Sequence, residues 1–200
     1  MRTFLLGGAR SGKSSLAARW AGERSKDVCC VVTATASDEE MAARIDAHRR
    51  ERPTHWRLRE EPRRLSAALK EESRTDSLLL IDCLTLWTAN CLWPPVTTVA
   101  EASTAADVPT AGETSTAPAT SGAFQADLAG WHAERDAFLA AVQATTSEIL
   151  IVSNEVGTSL VPENAAARLF RDEQGRLNQL VAAACDTVFL VTAGLPLRLK

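Results

Sequence analysis

The amino-acid sequence predicts an α/β domain whose central sheet is mainly parallel and is covered by helices on both faces. Continuous apolar runs indicate strands that are buried on both sides, and helical stretches separate these runs. The first run leads directly into a glycine-rich loop and then into a helix. The predicted strands are residues 2–6, 28–33, 78–82, 149–155 and 187–191.

Length and composition are those of one globular domain with a small-molecule partner. The 200 residues are enough for a sizeable core, and 46% of them are hydrophobic, so we expect a single domain. The formal charge of -3 argues against nucleic acid as a partner, because nucleic-acid binders usually carry a concentrated basic excess.

The cysteines predict an intracellular protein with reduced thiols. They form no C-x-x-C pair and lie mostly in apolar runs, which favours buried thiols in a cytoplasmic protein over a disulfide or metal framework. No basic leader followed by an apolar stretch opens the chain, and no run of about eighteen apolar residues occurs. We therefore expect no membrane span.

Helical periodicity follows the first two strands and returns late in the chain. The second helical stretch begins at a capping box formed by Ser37 and Glu40 and ends before Pro53. The predicted helices are residues 13–23, 38–51 and 123–144.

Residues 94–122 interrupt this alternation of strands and helices. They are rich in Thr, Ala, Ser and Pro and have no strong apolar period, so we expect a disordered surface insertion. A lid that orders over substrate is the functional alternative.

The segment GGARSGKS matches the phosphate-binding loop G-x-x-x-x-G-K-[ST] and lies between a strand and a helix, as that loop requires. Glycines let successive N–H groups turn inward, and the helix N-terminus adds partial positive charge. Lys13 would reach the outer phosphates and act in catalysis, and Ser14 would bind Mg²⁺. An ordinary strand-to-helix turn with an exposed lysine is the alternative. The predicted nucleotide-binding residues of this phosphate loop are Gly7, Gly8, Ala9, Arg10, Ser11, Gly12, Lys13 and Ser14.

The carboxylate that ends the apolar run LLLID is the second part of this predicted site. Asp82 has the form of a Walker B residue, which would hold Mg²⁺ opposite Ser14. An aspartate at this position also suits the N-cap of a following helix, and the two roles can coexist. Together these motifs predict one nucleotide-binding catalytic domain over residues 1–200.

His48 lies on the second predicted helix, in the arginine-rich stretch RIDAHRRERP. A helical histidine is usually a surface or capping residue, and an arginine run is usually a solvated face. A neutral imidazole is a good nucleophile toward phosphorus, however, and adjacent guanidinium groups would hold a triphosphate and favour the neutral ring. His55 and His132 are the rival histidines.

Five segments together resemble the bifunctional adenosylcobinamide kinases and adenosylcobinamide-phosphate guanylyltransferases of cobalamin biosynthesis. They are GGARSGKS, DEEMAARIDAHRRERPTHW, LLLIDCLTLWTANCL, VSNEVGTSLVPENAAARLFRDEQGRLNQLVAAACD and GLPLRLK. The resemblance covers nearly the whole chain outside residues 94–122. The signature that begins VSNEVG is far more specific than the phosphate loop.

This resemblance implies a RecA-like P-loop fold, a homotrimer and two reactions. ATP or GTP would phosphorylate the hydroxyl group of adenosylcobinamide. GTP would then guanylylate a histidine, which would pass GMP to adenosylcobinamide phosphate and give adenosylcobinamide-GDP. The family's histidine corresponds to His48 by its position in R-I-x-x-H. The resemblance also implies nucleotide contacts from Thr33, Ala34, Thr35, Arg49, Arg50, Glu51, Arg52, Glu60 and Asp82.

Polar residues of the long signature are expected along the substrate cleft or a subunit interface. Helix capping by Pro162, Glu163 and Asn164 is the structural alternative. Two other functions stay open at this point: a kinase without guanylyltransferase activity, and a regulator that uses GTP only to set its conformation. The polar residues are Asn154, Glu155, Asn164, Arg168, Arg171 and Asp172.

Overall fold

The computed structural model describes residues 1–35, 52–94 and 125–200, together with the isolated positions 39, 43 and 50. Most of the predicted helix over residues 38–51 therefore lies outside the described residues. The predicted insertion over residues 94–122 also lies outside them, except for Pro94. The strands are β1 (Arg2–Gly7), β2 (Val28–Val32), β3 (Arg57–Glu60), β4 (Leu78–Asp82), β5 (Glu148–Asn154), β6 (Thr187–Thr192) and β7 (Leu195–Arg198). The helices are α1 (Lys13–Arg24), α2 (Leu65–Glu72), α3 (Leu84–Leu92), α4 (Leu128–Ala144) and α5 (Ala165–Ala184).

In the described part of the chain, seven strands form one sheet in the order β3-β2-β4-β5-β1-β6-β7. Neighbouring strands are parallel except β6 and β7, which form an antiparallel hairpin. The predicted α/β class with a mainly parallel sheet is confirmed. The carboxyl ends of parallel strands lie at the same edge of a sheet. The ends of β2, β4, β5 and β1 are therefore neighbours at that edge.

Each face of the sheet carries its own hydrophobic core. On one face, Leu16 of α1 packs in a core that includes Val152 of β5. On the other face, Trp131 of α4 packs in a core that includes Ile151 of the same strand. Successive residues of β5 thus point to opposite faces, as a strand buried between two helical layers requires.

Two edge strands are missing from the sequence-based prediction. β3 reads RLRE and lacks an apolar run, and its arginines Arg57 and Arg59 form ion pairs with Glu72 of α2. β7 is exposed along its whole length. It pairs with β6 because Ala193 and Gly194, with φ values of 51° and 79°, form the two-residue turn that favours a hairpin.

The cysteines are all free, and four of them are buried, namely Cys29, Cys30, Cys91 and Cys185. Their location in the two cores confirms the predicted burial of these four thiols. Among the described helices, none combines the length and the apolar character that a membrane crossing requires.

Candidate active site

The phosphate loop joins β1 to α1 at the carboxyl edge of the sheet. Arg10 and Gly12 have φ values of 57° and 89°, the left-handed conformation that turns the loop back on itself. Lys13 is the first residue of α1 and is only 7% exposed, and its Nζ donates a hydrogen bond to Gly8 O at 3.0 Å. The lysine therefore lies across the loop, and the alternative of an exposed lysine is wrong.

Burial lowers the pKa of the Lys13 ammonium group, and the nearby carboxylate of Asp82 opposes that shift. A cation that has lost much of its water gains from a new ionic partner. Phosphate oxygens at the N-terminus of α1 would supply that partner, because the amide groups there also favour negative charge.

The β6–β7 hairpin packs against the phosphate loop. Gly194 N donates a hydrogen bond to Ser11 O at 2.8 Å. A Cβ atom on Gly12 would lie 3.1 Å from Gly194 Cα, and one on Gly7 would lie 2.5 Å from Val191 O. Close packing thus requires glycine at position 7, and the positive φ together with a tight contact favours glycine at position 12. The loop motif alone does not reveal the packing.

Asp82, the last residue of β4, faces the start of α1. Its Oδ1 accepts a hydrogen bond from Ser14 Oγ at 3.2 Å, and its Oδ2 lies 3.0 Å from Arg52 Nη2. The N-cap of α3 is Cys83, which makes no side-chain capping bond. Asp82 therefore faces the phosphate loop, and the N-cap alternative is wrong. A cavity of about 380 Å³ opens beside this cluster, with Ser15 and Arg19 in its lining.

Ser14 and Asp82 together fit the requirements of a Mg²⁺ ion. Both offer hard oxygen ligands, and they face each other from adjacent elements. Mg²⁺ usually takes one or two protein oxygens and completes its shell with water and phosphate. Among the described residues, no group of three or more His, Cys, Asp and Glu side chains could hold a metal ion, so a metal here would need such outside ligands.

The segment after β2 is partly engaged by the protein itself. Thr33 is fully buried, and its Oγ1 donates to Cys83 O at 2.6 Å and accepts from Cys83 N at 3.1 Å. Ala34 is half-buried and Thr35 is exposed. A nucleotide contact from this segment would therefore come from Ala34 and Thr35 rather than from the Thr33 hydroxyl group.

The remaining predicted nucleotide contacts lie beside this segment or outside the described residues. Glu60 ends β3 and is paired in register with Val32 of β2. Arg50 is exposed. His48, Arg49 and Glu51 lie outside the described residues. Of the predicted arginine stretch, the structure therefore brings Arg52 to the phosphate loop.

The two rival histidines differ in their surroundings. His55 is exposed in the turn before β3. His132 Nε2 lies 3.2 Å from Glu173 Oε2, a carboxylate that also accepts from Trp131 Nε1 at 2.8 Å. His132 is thus engaged in a contact between α4 and α5.

Polar residues of the long signature shape the loop between β5 and α5. Asn164 is the N-cap of α5 and accepts from the backbone of Ala166 and Ala167, so the capping alternative is confirmed for this residue. Arg168 donates to the carbonyl groups of residues 162 and 163, and Arg171 Nη2 donates to Gly157 O at 2.8 Å. Glu155 accepts from Gly157 N, and Asp172 is exposed.

Sequence reasoning misses a buried polar cluster beneath the end of β5. Ser153 Oγ donates to Asn178 Oδ1 at 2.8 Å and accepts from Gln174 Nε2 at 2.9 Å. Asn178 Nδ2 also donates to Asn154 O, and Thr85 Oγ1 accepts from Asn154 N. The available signal was the placement of two amides four residues apart on the core-facing side of a helix.

Comparisons with known proteins relate the whole chain to one family. Residues 3–199 match the family described as cobinamide kinase / cobinamide phosphate guanyltransferase. The chain is 39% identical to the bifunctional adenosylcobalamin biosynthesis protein CobP of Pseudomonas aeruginosa, covering 100% of this chain and 98% of that protein. It is 34% identical to the bifunctional adenosylcobalamin biosynthesis protein CobU of Escherichia coli, with 100% of both chains covered.

A solved structure bears on the fold alone. A prototypical ATPase from the type III secretion system of pathogenic bacteria superimposes with a TM-score of 0.52 at 10% identity, covering 96% of this chain and 51% of that chain. This likeness agrees with the predicted RecA-like P-loop fold.

Proposed function

The chain belongs to the cobinamide kinase / cobinamide phosphate guanyltransferase family, and we propose that one phosphate loop serves both of its reactions. The enzyme is a bifunctional kinase and guanylyltransferase of adenosylcobalamin biosynthesis. The single observation that carries the shared site is the cluster of Lys13, Ser14, Asp82 and Arg52 at the carboxyl edge of the sheet. In that cluster, Arg52, which follows the predicted nucleophile by four residues in the sequence, reaches the predicted metal carboxylate.

In the first reaction, the hydroxyl group of adenosylcobinamide attacks the γ-phosphorus of ATP or GTP. The backbone amides of the phosphate loop and the start of α1 bind the phosphates, and Lys13 binds the outer ones. Bound Mg²⁺, held by Ser14 and Asp82, would neutralise charge on the phosphate oxygens. Positioning and charge stabilisation supply most of the acceleration in such transfers.

In the second reaction, His48 attacks the α-phosphorus of GTP and pyrophosphate leaves. The phosphate group of adenosylcobinamide phosphate then takes GMP from the imidazole, which regenerates the histidine. Arg52 follows His48 by four residues in the sequence. The Arg52–Asp82 ion pair supports a position of that segment near the phosphate loop.

GTP labelled at the α-phosphate tests the covalent step. The wild-type chain should retain label after denaturation, and the label should be acid-labile and base-stable, as expected for a phosphoramidate. His48→Ala should retain none, whereas His55→Ala, which changes an exposed histidine seven positions away, should label normally. Absence of label on the wild-type chain would leave a kinase without the covalent guanylyl step.

We also propose a homotrimer in the cytoplasm. Leu195 and Leu197 alternate along the edge strand β7 and are 72% and 62% exposed, and an open edge with apolar side chains favours contact with another copy. Light scattering should give three copies for the wild-type protein and fewer for Leu197→Glu. A monomeric wild-type protein would contradict this proposal.

A further inference from the structure

Asn154 carries a buried acceptor at the carboxyl end of β5 that lacks a partner among the residues described by the structure. Its Oδ1 is buried and has no hydrogen-bond partner in the part of the chain that the structure describes, although most buried polar atoms in proteins are paired. Its backbone is fixed on both sides, because Asn154 N donates to Thr85 Oγ1 at 2.8 Å and Asn154 O accepts from Asn178 Nδ2 at 3.1 Å. Neighbours therefore hold this residue in place without satisfying the amide oxygen.

The register of the sheet brings Asn154 between the phosphate loop and Asp82. β5 lies between β1 and β4, with Asn154 opposite Gly7 and Val152 opposite Asp82. Val152 packs in the core on the α1 face. Since strand residues two apart point to the same face, Asn154 projects toward that face, where Asp82 meets Ser14. The residue as a whole is half-buried, and its Oδ1 is the covered part.

The reactants offer this oxygen one particular donor. Ionised phosphate oxygens accept hydrogen bonds and donate none, whereas the alcohol that attacks the γ-phosphorus has an O–H group. We infer that Asn154 Oδ1 accepts a hydrogen bond from the substrate hydroxyl group that becomes phosphorylated. This inference rests on the kinase reaction proposed above and gives Asn154 a substrate contact in that reaction alone.

The contact orients the hydroxyl group and does not remove its proton, because a neutral carboxamide is not a base. In the transfer, a bond forms between the hydroxyl oxygen and the γ-phosphorus. The bond from the γ-phosphorus to the β,γ-bridging oxygen breaks, and the nucleoside diphosphate leaves with that electron pair. The hydroxyl proton is released to solvent. Guanylyl transfer uses a phosphate group as acceptor and lacks this O–H.

Two substitutions separate the acceptor from the shape of the side chain. Asn154→Leu removes the acceptor with little change in volume, and Asn154→Asp keeps an acceptor oxygen. Gln143→Leu, on an exposed part of α4, controls for loss of an amide elsewhere. Three quantities are measured for each variant: kcat/KM for adenosylcobinamide in the kinase reaction, Kd for a non-hydrolysable GTP analogue, and the rate of guanylyl transfer to adenosylcobinamide phosphate.

Asn154→Leu should lower the kinase kcat/KM by roughly 10- to 100-fold, the range expected for one lost substrate hydrogen bond. The Kd for the analogue should stay within about twofold, guanylyl transfer should be retained, and Asn154→Asp should recover part of the kinase activity. An unchanged kinase reaction, or an equal loss in both transfers, would overturn the inference. If the leucine variant does not fold, Asn154→Ala takes its place with the same expectations. Absence of kinase turnover in the wild-type chain would instead contradict the proposed function, before any variant is compared.

Discussion

Replacing Arg52 with glutamine should strengthen Mg²⁺ binding and weaken the metal-free fold. Arg52 Nη2 lies 3.0 Å from Asp82 Oδ2, and Ser14 Oγ lies 3.2 Å from Asp82 Oδ1. Both carboxylate oxygens are thus engaged by the protein. A metal ion that joins Ser14 and Asp82 has to share or displace the guanidinium group, so Arg52→Gln removes a competitor.

The size of this effect follows from the burial of the pair. The side chains of Arg52 and Asp82 are only 13% and 15% exposed, so salt screens their interaction weakly. A hydrogen bond to a charged group contributes about 1.5–3 kcal/mol. Loss of that contribution from the metal-free state alone lowers its Tm by roughly 3–12 °C. It also lowers the half-saturating Mg²⁺ concentration by roughly 10- to 150-fold if the metal displaces the guanidinium completely.

Calorimetry of a non-hydrolysable GTP analogue at increasing free Mg²⁺ gives the half-saturating metal concentration, and thermal melting in a chelator gives the metal-free stability. Arg74→Gln, at a side chain that is 57% exposed, controls for loss of one arginine charge and should change neither quantity. In an Asp82→Asn background, Arg52→Gln should no longer alter stability, because the two residues act as a pair. A Mg²⁺ requirement that rises in Arg52→Gln would refute competition for the carboxylate.

Three further predictions concern the fold around the site. Burial raises the pKa of Glu173, but hydrogen bonds, first that from Trp131, outweigh burial and hold the pKa below its ordinary value of 4.5. Its stabilising effect is therefore present at neutral pH and is lost as the pH falls below 4.5 through the lower folded-state value. Glu173→Gln should cost roughly 2–4 kcal/mol in urea unfolding near neutral pH, and a difference that persists in acid would contradict this reasoning. Gly12→Ala should lower the free energy of unfolding by about 1–3 kcal/mol, because Gly12 has a positive φ. Gly8→Ala is the control: its Cβ would meet nothing within 4 Å, so the free energy of unfolding should not change. Equal losses of stability in the two variants would contradict the explanation from backbone conformation. Burial raises the pKa of the Cys91 thiol to about 12. Iodoacetamide at mildly alkaline pH should therefore alkylate Cys91 only after unfolding, which mass spectrometry can follow. Rapid alkylation of Cys91 in the native chain would argue against that burial.

The central strands can be predicted from sequence because each is an unbroken apolar run, as LLLID in β4 shows. That signal reports burial on both faces. β3 and β7 lie at the edges of the sheet, where burial no longer sets the pattern. β3 reads as a charged segment, and β7 depends on the turn at residues 193–194 and on a partner strand rather than on its own residues.

Local spacing predicts part of the site and tertiary register supplies the rest. The roles of Lys13 and Ser14 are predicted by the eight-residue motif GGARSGKS. The position of Asp82 is predicted by the rule that the carboxyl ends of parallel strands lie at the same edge of the sheet. The Arg52–Asp82 pair joins the segment before β3 to the end of β4, across 30 positions of sequence, and no local pattern carries that information. The Asn154 oxygen, which has no partner among the described residues, likewise becomes apparent only in the folded structure.

Intact-protein mass after exposure to unlabelled GTP tests most directly whether a single triphosphate site feeds the covalent step. We predict a gain of one guanylyl group, located by peptide mapping on His48 and strongly reduced in Lys13→Ala, because the same phosphate loop presents the nucleotide. An adduct on another residue, or full modification of the Lys13→Ala chain, would contradict the account.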